Sequence, residues 1–136
     1  MMPRAINKEL VMSKVTKNQA SQVVSLDGFE GRYEEVEDYT IGFESYSKDF
    51  DAAPLFRGLP EDRCQCPHWG VVLKGKVGFR TSEGEETIEA GEAYYVQPGH
   101  TPIAYAGTEV IEFSPTEQLN KTVEVVMRNM QGEQVG

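Results

Sequence analysis

Turn-forming residues interrupt this chain at short intervals, and between the interruptions apolar and polar side chains alternate with period two. Thirteen Gly and 7 Pro in 136 residues do the interrupting. Tyr39, Ile41 and Phe43 alternate with Thr40, Gly42 and Glu44 inside a stretch, Tyr33 to Phe50, that reads as strands. Cys64 to Leu73 repeats the pattern, with 64, 66, 68, 70 and 72 on one face. Val77, Phe79 and Thr81 alternate, Ser82-Glu83-Gly84 turns, and Thr87-Ile88-Glu89 returns. Ala93–Gln97, Ile103–Tyr105 and Val110–Phe113 complete the series, with Pro98-Gly99-His100-Thr101-Pro102 as a rigid loop. Ala52 to Pro60 reads as another loop. Short strands at this spacing predict an all-β sandwich or barrel.

The period changes after Phe113. Ser114-Pro115-Thr116-Glu117 reads as a capping box, with Ser114 as the cap and Pro115 at the first helical position. Leu119, Val123, Val126 and Met130 then share one helical face, flanked by Met127, so a helix is expected over about 115–130. The predicted organisation is a flexible N-terminal arm, 1–27, and one domain, 28–136, that includes the helix. At 39% hydrophobic residues the chain can fill one core.

Charge narrows the partners. Twenty-two acids against 13 bases give −9, which repels phosphate backbones and anionic lipid surfaces, so neither nucleic acid nor a membrane is expected. No apolar run approaches the ~18 residues needed to cross a bilayer. The first 22 residues lack the unbroken apolar segment of a secretory signal, so a cytoplasmic location is expected. There, Cys64 and Cys66 are expected as thiols, not as a disulfide.

Gly91-Glu92-Ala93-Tyr94-Tyr95-Val96-Gln97-Pro98-Gly99-His100 resembles the second cupin motif: a Gly, an apolar strand, then Pro-Gly. Val71-Val72-Leu73-Lys74-Gly75 resembles the end of the first, and Gly58 fits its opening glycine. The likeness spans roughly 55–115 and is to the small single-domain bacterial cupins of uncharacterised function. It implies an RmlC-like jelly-roll barrel, commonly with a divalent metal inside. The family's ligand pattern is not kept. His68 falls where the family has Glu, Asp62 and Cys64 fall where it has its paired His, and Pro102 stands where it has its third.

The residues present suggest a different donor set. An extended 64–68 puts Cys64, Cys66 and His68 on one face, and His100 arrives from the neighbouring loop. Two thiols and two imidazoles suit a tetrahedral metal site, zinc by preference, with iron or nickel as alternatives. All four ligands would close the site, whereas three would leave a position for chemistry. Asp62 is a further candidate, as an oxygen ligand or a partner for His68, against its reading as a turn residue. Glu44, Glu109 and Glu112 are candidate general bases without an assigned place. Tyr94, Tyr95, Tyr105, Phe79 and Phe113 supply aromatic lining, about half of it facing inward. Trp69 should point away from His68, as a core or dimer contact.

Two functions follow. One is a metal-binding cupin with a small-molecule pocket, with catalysis left open. The other is a metal-free module that binds or senses a small ligand. Redox sensing by the cysteine pair is a third, which requires a low thiol pKa. A homodimer is expected.

Overall fold

The structure is a computed structural model and describes residues 12–135. Residues 1–11 of the expected arm lie outside the described residues. Within the rest of that arm, Gln22–Leu26 is a strand, β1, preceded by a 3-10 turn at Lys17–Gln19. The other strands are β2 (Phe29–Val36), β3 (Tyr39–Tyr46), β4 (Phe50–Asp51), β5 (His68–Lys74), β6 (Lys76–Thr81), β7 (Gly84–Glu89), β8 (Ala93–Val96), β9 (Thr101–Ala104) and β10 (Thr108–Pro115). One α-helix, α1 (Thr116–Val135), ends the described residues.

The strands form two antiparallel sheets. The larger runs β1-β2-β3-β10-β5-β8 and the smaller β4-β9-β6-β7. Between them lies a core of Val72, Val77, Phe79, Tyr94, Val96, Ala104 and Val110, drawn from both sheets. The expected all-β class with a terminal helix is present, but the expected closed barrel is not. Among the described residues no ladder joins the edge strands of one sheet to those of the other. The backbone hydrogen bonds are spent within each sheet, and the chain between β4 and β5 meets the loop before β9 only at an isolated bridge, Cys64 to His100.

The helix starts later than its sequence signal. Pro115 is the last residue of β10, and Ser114 is a buried strand residue, not a helix cap. Its hydroxyl lies 2.7 Å from His68 Nδ1, a tertiary contact that displaces the local one. The buried face of α1 is also turned from the expected stripe. Thr122 is buried and Leu119 and Val126 are half-buried, while Val123 and Met127 are exposed. Asn129 fixes that rotation, its Nδ2 donating to Leu55 O at 2.7 Å and Arg57 O at 2.9 Å. The helix thereby covers a second apolar cluster, Ala52, Phe56, Cys64 and Cys66.

Candidate metal and ligand site

Cys64 lies just before β5, in chain held by the loop that follows β8. Its N–H donates to His100 O at 2.8 Å, and Gly99 N–H donates back to Cys64 O at 2.7 Å. Gly99 has φ +94°, a conformation that L side chains rarely adopt, so glycine is what allows this return bond. The exchange sets His100 beside Cys64. His68 opens β5 with its side chain inward, and its ring centroid is 5.0 Å from that of His100.

One ligand atom from each of Cys64, His68 and His100 lies within 4.8 Å of the others. All three residues are buried. Second partners fix which ring nitrogens face the cluster. His100 Nδ1 donates to Gln97 O at 2.6 Å, because a carbonyl can only accept. His68 Nδ1 meets Ser114 Oγ at 2.7 Å and Glu112 Oε1 at 3.4 Å, and its Nε2 lies 3.6 Å from Cys64 Sγ. His100 is held at Nδ1 by a carbonyl and His68 at Nδ1 by a hydroxyl, with His68 Nε2 toward Cys64 Sγ, an arrangement that suits metal ligation. Burial lowers both histidines to about 4, so both rings are neutral and able to ligate near pH 7.

Three of the four expected ligands thus converge, and Cys66 stands outside. Its Sγ lies 3.3 Å from Pro67 O and 3.9 Å from Pro115 O. The reason is local. The regular strand begins only at His68, after Pro67, so the alternation expected from 64 to 68 does not operate there. Asp62 is not at the site either. It is exposed, has φ +57°, and its Oδ1 accepts from Gly58 N–H at 3.0 Å, as a turn residue does. Burial pushes the Cys64 thiol up to about 11 and Cys66 up to about 12. Thiols held protonated in this way do not suit redox sensing.

The cluster opens on a cavity of ≈ 260 Å³ walled by the larger sheet, α1 and residues of the smaller sheet such as Val77, Phe79 and Pro102. Two carboxyls reach into it. Tyr33 Oη donates to Glu44 Oε2 at 2.6 Å, and Tyr94 Oη donates to Glu112 Oε2 at 2.6 Å. Burial raises both carboxyls above their usual range, and Glu112 raises Glu44 further. Two of the three candidate bases are therefore placed, whereas Glu109 pairs with Lys74 at 3.5 Å. Of the expected aromatic lining, Phe79 and Tyr94 face the cavity, while Tyr95 and Phe113 are exposed. Lys76 sits over the Tyr105 ring instead.

Tyr33 and Thr122 are site residues the sequence reading did not find. Thr122 Oγ1 lies 3.7 Å from Cys64 Sγ. The signal for Tyr33 was in the glycines. A Cβ at Gly31 would stand 2.6 Å from Tyr33 Cε2, and one at Gly42 2.8 Å from Cε1, so bare backbone makes room for the ring.

No family model matches the chain, and no curated protein matches it. Solved structures do. A protein of unknown function from Rhizobium leguminosarum aligns with a TM-score of 0.54 at 18% identity, covering 76% of this chain and 94% of that one. An RmlC-like cupin from Shewanella frigidimarina gives 0.51 at 12%, covering 76% and 92%. The polyketide cyclase RemF from Streptomyces resistomycificus gives 0.54 at 11%, covering 78% and 80%. At such identities the likeness is one of fold.

Proposed function

The chain has the fold of a small cupin, and on that premise we propose that it binds a divalent metal, zinc by preference, through Cys64, His68 and His100, beside a pocket for a small organic ligand. The observation that carries this reading is the convergence of three donors on one point at the cavity wall. A soft thiolate with two imidazoles suits zinc, with iron or nickel next. Three protein ligands leave a fourth position open, where zinc would act as a Lewis acid on a ligand oxygen.

The chain's own groups do the rest. Ser114 and Glu112 orient His68, and Gln97 orients His100. Tyr33 and Tyr94 hold the two carboxyls toward the space a ligand would fill. The cavity lies just below the ~300 Å³ at which pockets for drug-sized molecules begin, so the ligand is small. A cytosolic homodimer is the setting assumed, because a reducing compartment keeps Cys64 available as a ligand.

A metal-free binding or sensing module is the second reading. It is favoured by the satisfaction of every buried side-chain polar atom among the described residues without any ion. Metal analysis of protein purified without a polyhistidine tag separates the two. The metal reading expects roughly one equivalent of zinc, bound as isolated or after addition, and its loss in Cys64→Ser/His68→Ala. Less than about a tenth of an equivalent, with no uptake, would falsify it in favour of the second reading.

A further inference from the structure

The larger sheet floors the cavity with an ordered row of residues. Across β2, β3, β10, β5 and β8 the register aligns Tyr33, Gly42, Glu112, Gly70 and Tyr94. A glycine on each side of Glu112 leaves bare backbone, and the two tyrosine rings lie over it. A Cβ at Gly42 would stand 2.8 Å from Tyr33 Cε1, and one at Gly70 2.6 Å from Tyr94 Cζ. The rings lean inward so that their hydroxyls meet the carboxyls, Tyr94 at Glu112 and Tyr33 at Glu44. Glu44 is two residues beyond Gly42 on β3 and so shares its face.

Each carboxyl has its tyrosine, but through one oxygen only. Tyr33 donates to Glu44 Oε2, and Glu44 Oε1 accepts no hydrogen bond from the described residues. Every sealed side-chain polar atom among those residues has a partner, so this second oxygen opens on the cavity. Glu44 lies deep in the fold and yet keeps access to solvent, as a cavity wall does. Glu35 joins the two carboxyls along the wall, and among the described lining residues there is no Lys or Arg. The rest of the wall is rich in rings. Tyr46, Phe29 and Phe50 group with centroids 5.1–6.1 Å apart, and Phe79 meets Tyr94 at 5.0 Å.

We propose that the cavity takes a small organic cation, an alkylammonium whose N–H groups go to Glu44 and Glu112 and whose carbon body lies against the rings. Carboxyl oxygens are acceptors, and a charged donor makes the stronger bond to them. The faces of aromatic rings attract a cation and repel an anion. The chain's charge of −9 acts in the same direction, drawing cations toward an acidic cleft. An anion would meet carboxyls with no guanidinium or ammonium beside them. A polyol both donates and accepts, and the tyrosine protons are already committed to the carboxyls. The inference rests on the ligand pocket of the reading above, names its ligand class and makes no use of the metal.

Two probes of one shape test the charge: tert-butylammonium and tert-butanol. The full chain is titrated with each by NMR at about pH 8.5, where an alkylamine is still protonated, as lysine is. The ammonium should bind at least ~10-fold more tightly than the alcohol and shift the backbone amides of Glu44 and Glu112. Glu44→Gln, which keeps the shape and loses the charge, should bring that ratio below about 3. Glu86→Gln removes the same charge from an exposed position on β7 and should leave the ratio unchanged. Equal affinities, a preference for the alcohol, or no binding of the ammonium up to about 50 mM overturns the proposal. So do shifts confined to residues away from the cavity, or a folded Glu44→Gln chain with the wild-type ratio. Should that variant not fold, the wild-type ratio and shifts still decide. Tight binding of the alcohol alone would remove the cation and leave the pocket, and metal content measured on the same samples judges the metal separately.

Discussion

Along β10, Glu112 and Ser114 turn toward the cavity while Ile111 and Phe113, one residue away, turn outward. The same inversion runs through β3, where Thr40 and Glu44 face inward and Ile41 and Phe43 outward, and at His68 and Trp69 of β5. A sheet selected for stability alone would place these sets the other way round. Each inward polar group must recover its desolvation cost through a partner. Each does. Besides the two tyrosine–carboxyl bonds, Thr40 and Thr116 hydroxyls meet at 2.7 Å, and Ser114 meets His68 at 2.7 Å. The inner face is therefore polar and internally satisfied, and the outer face is largely apolar.

The largest expected effect tests how the inner face is built. Tyr94 reaches Glu112 because its ring lies over Gly70. A Cβ there would stand 2.6 Å from Tyr94 Cζ and 2.8 Å from Ile111 O, and the backbone oxygen cannot swing aside. Gly70→Ala should cost roughly 1–3 kcal/mol in urea unfolding, as overpacking does, and should disturb the Tyr94–Glu112 bond. A change below about 0.5 kcal/mol would mean that the ring does not occupy this place.

Much of this was legible in the sequence. Alternation located β3, β5 and β6, because a period of two has few other structural meanings, and the turn residues between segments bounded β8 and β10. Cys64, His68 and His100 came together as expected, since a strand start and a Pro-braced loop hold them with little freedom. What alternation cannot supply is which set faces inward, since a pattern such as Tyr39 to Glu44 reads equally well from either side. An apolar-inward rule would have turned Ile41 to the cavity and Glu44 away from it, whereas Glu44 lines the cavity and Ile41 does not. Ser114 misled for a related reason. Its local pattern is a helix cap, and only the fold reveals the imidazole 46 residues upstream that engages its hydroxyl. β1 carries Val23 beside Val24, with no alternation to announce it.

A smaller effect separates the two faces by pH. The unfolded chain releases its Glu protons near 4.5, whereas desolvation keeps Glu44 and Glu112 protonated to higher pH in the fold. Above 4.5 the native state binds the more protons, so stability falls as pH rises until both have ionised in the fold. His68 and His100 act with opposite sign. Burial lowers them from 6.5 to about 4, so their contribution is lost as pH falls through that window. The metal-free chain should be most stable in mild acid and melt at lower temperature by about pH 9. Glu44→Gln keeps an acceptor for Tyr33 and removes the charge, so it should flatten the alkaline loss. An unchanged alkaline slope in that variant would place Glu44 in contact with water.

The smallest effect concerns Cys66, which the sequence puts on the same footing as Cys64 and the fold does not. Cys66→Ala removes one buried sulfur packed against Pro67 and Pro115, which should cost on the order of 1 kcal/mol. It removes nothing from the Cys64/His68/His100 cluster, so zinc stoichiometry should hold at the wild-type value, while Cys64→Ser loses it. The outcome decides more than one residue's role. A zinc site that needs both sulfurs is closed by four protein ligands and can only brace the fold. A site indifferent to Cys66 would keep one position free beside the cavity that Glu44 and Glu112 also line. Metal uptake by these two variants therefore tests whether the polar inner face serves a bound ligand or only the protein's own stability.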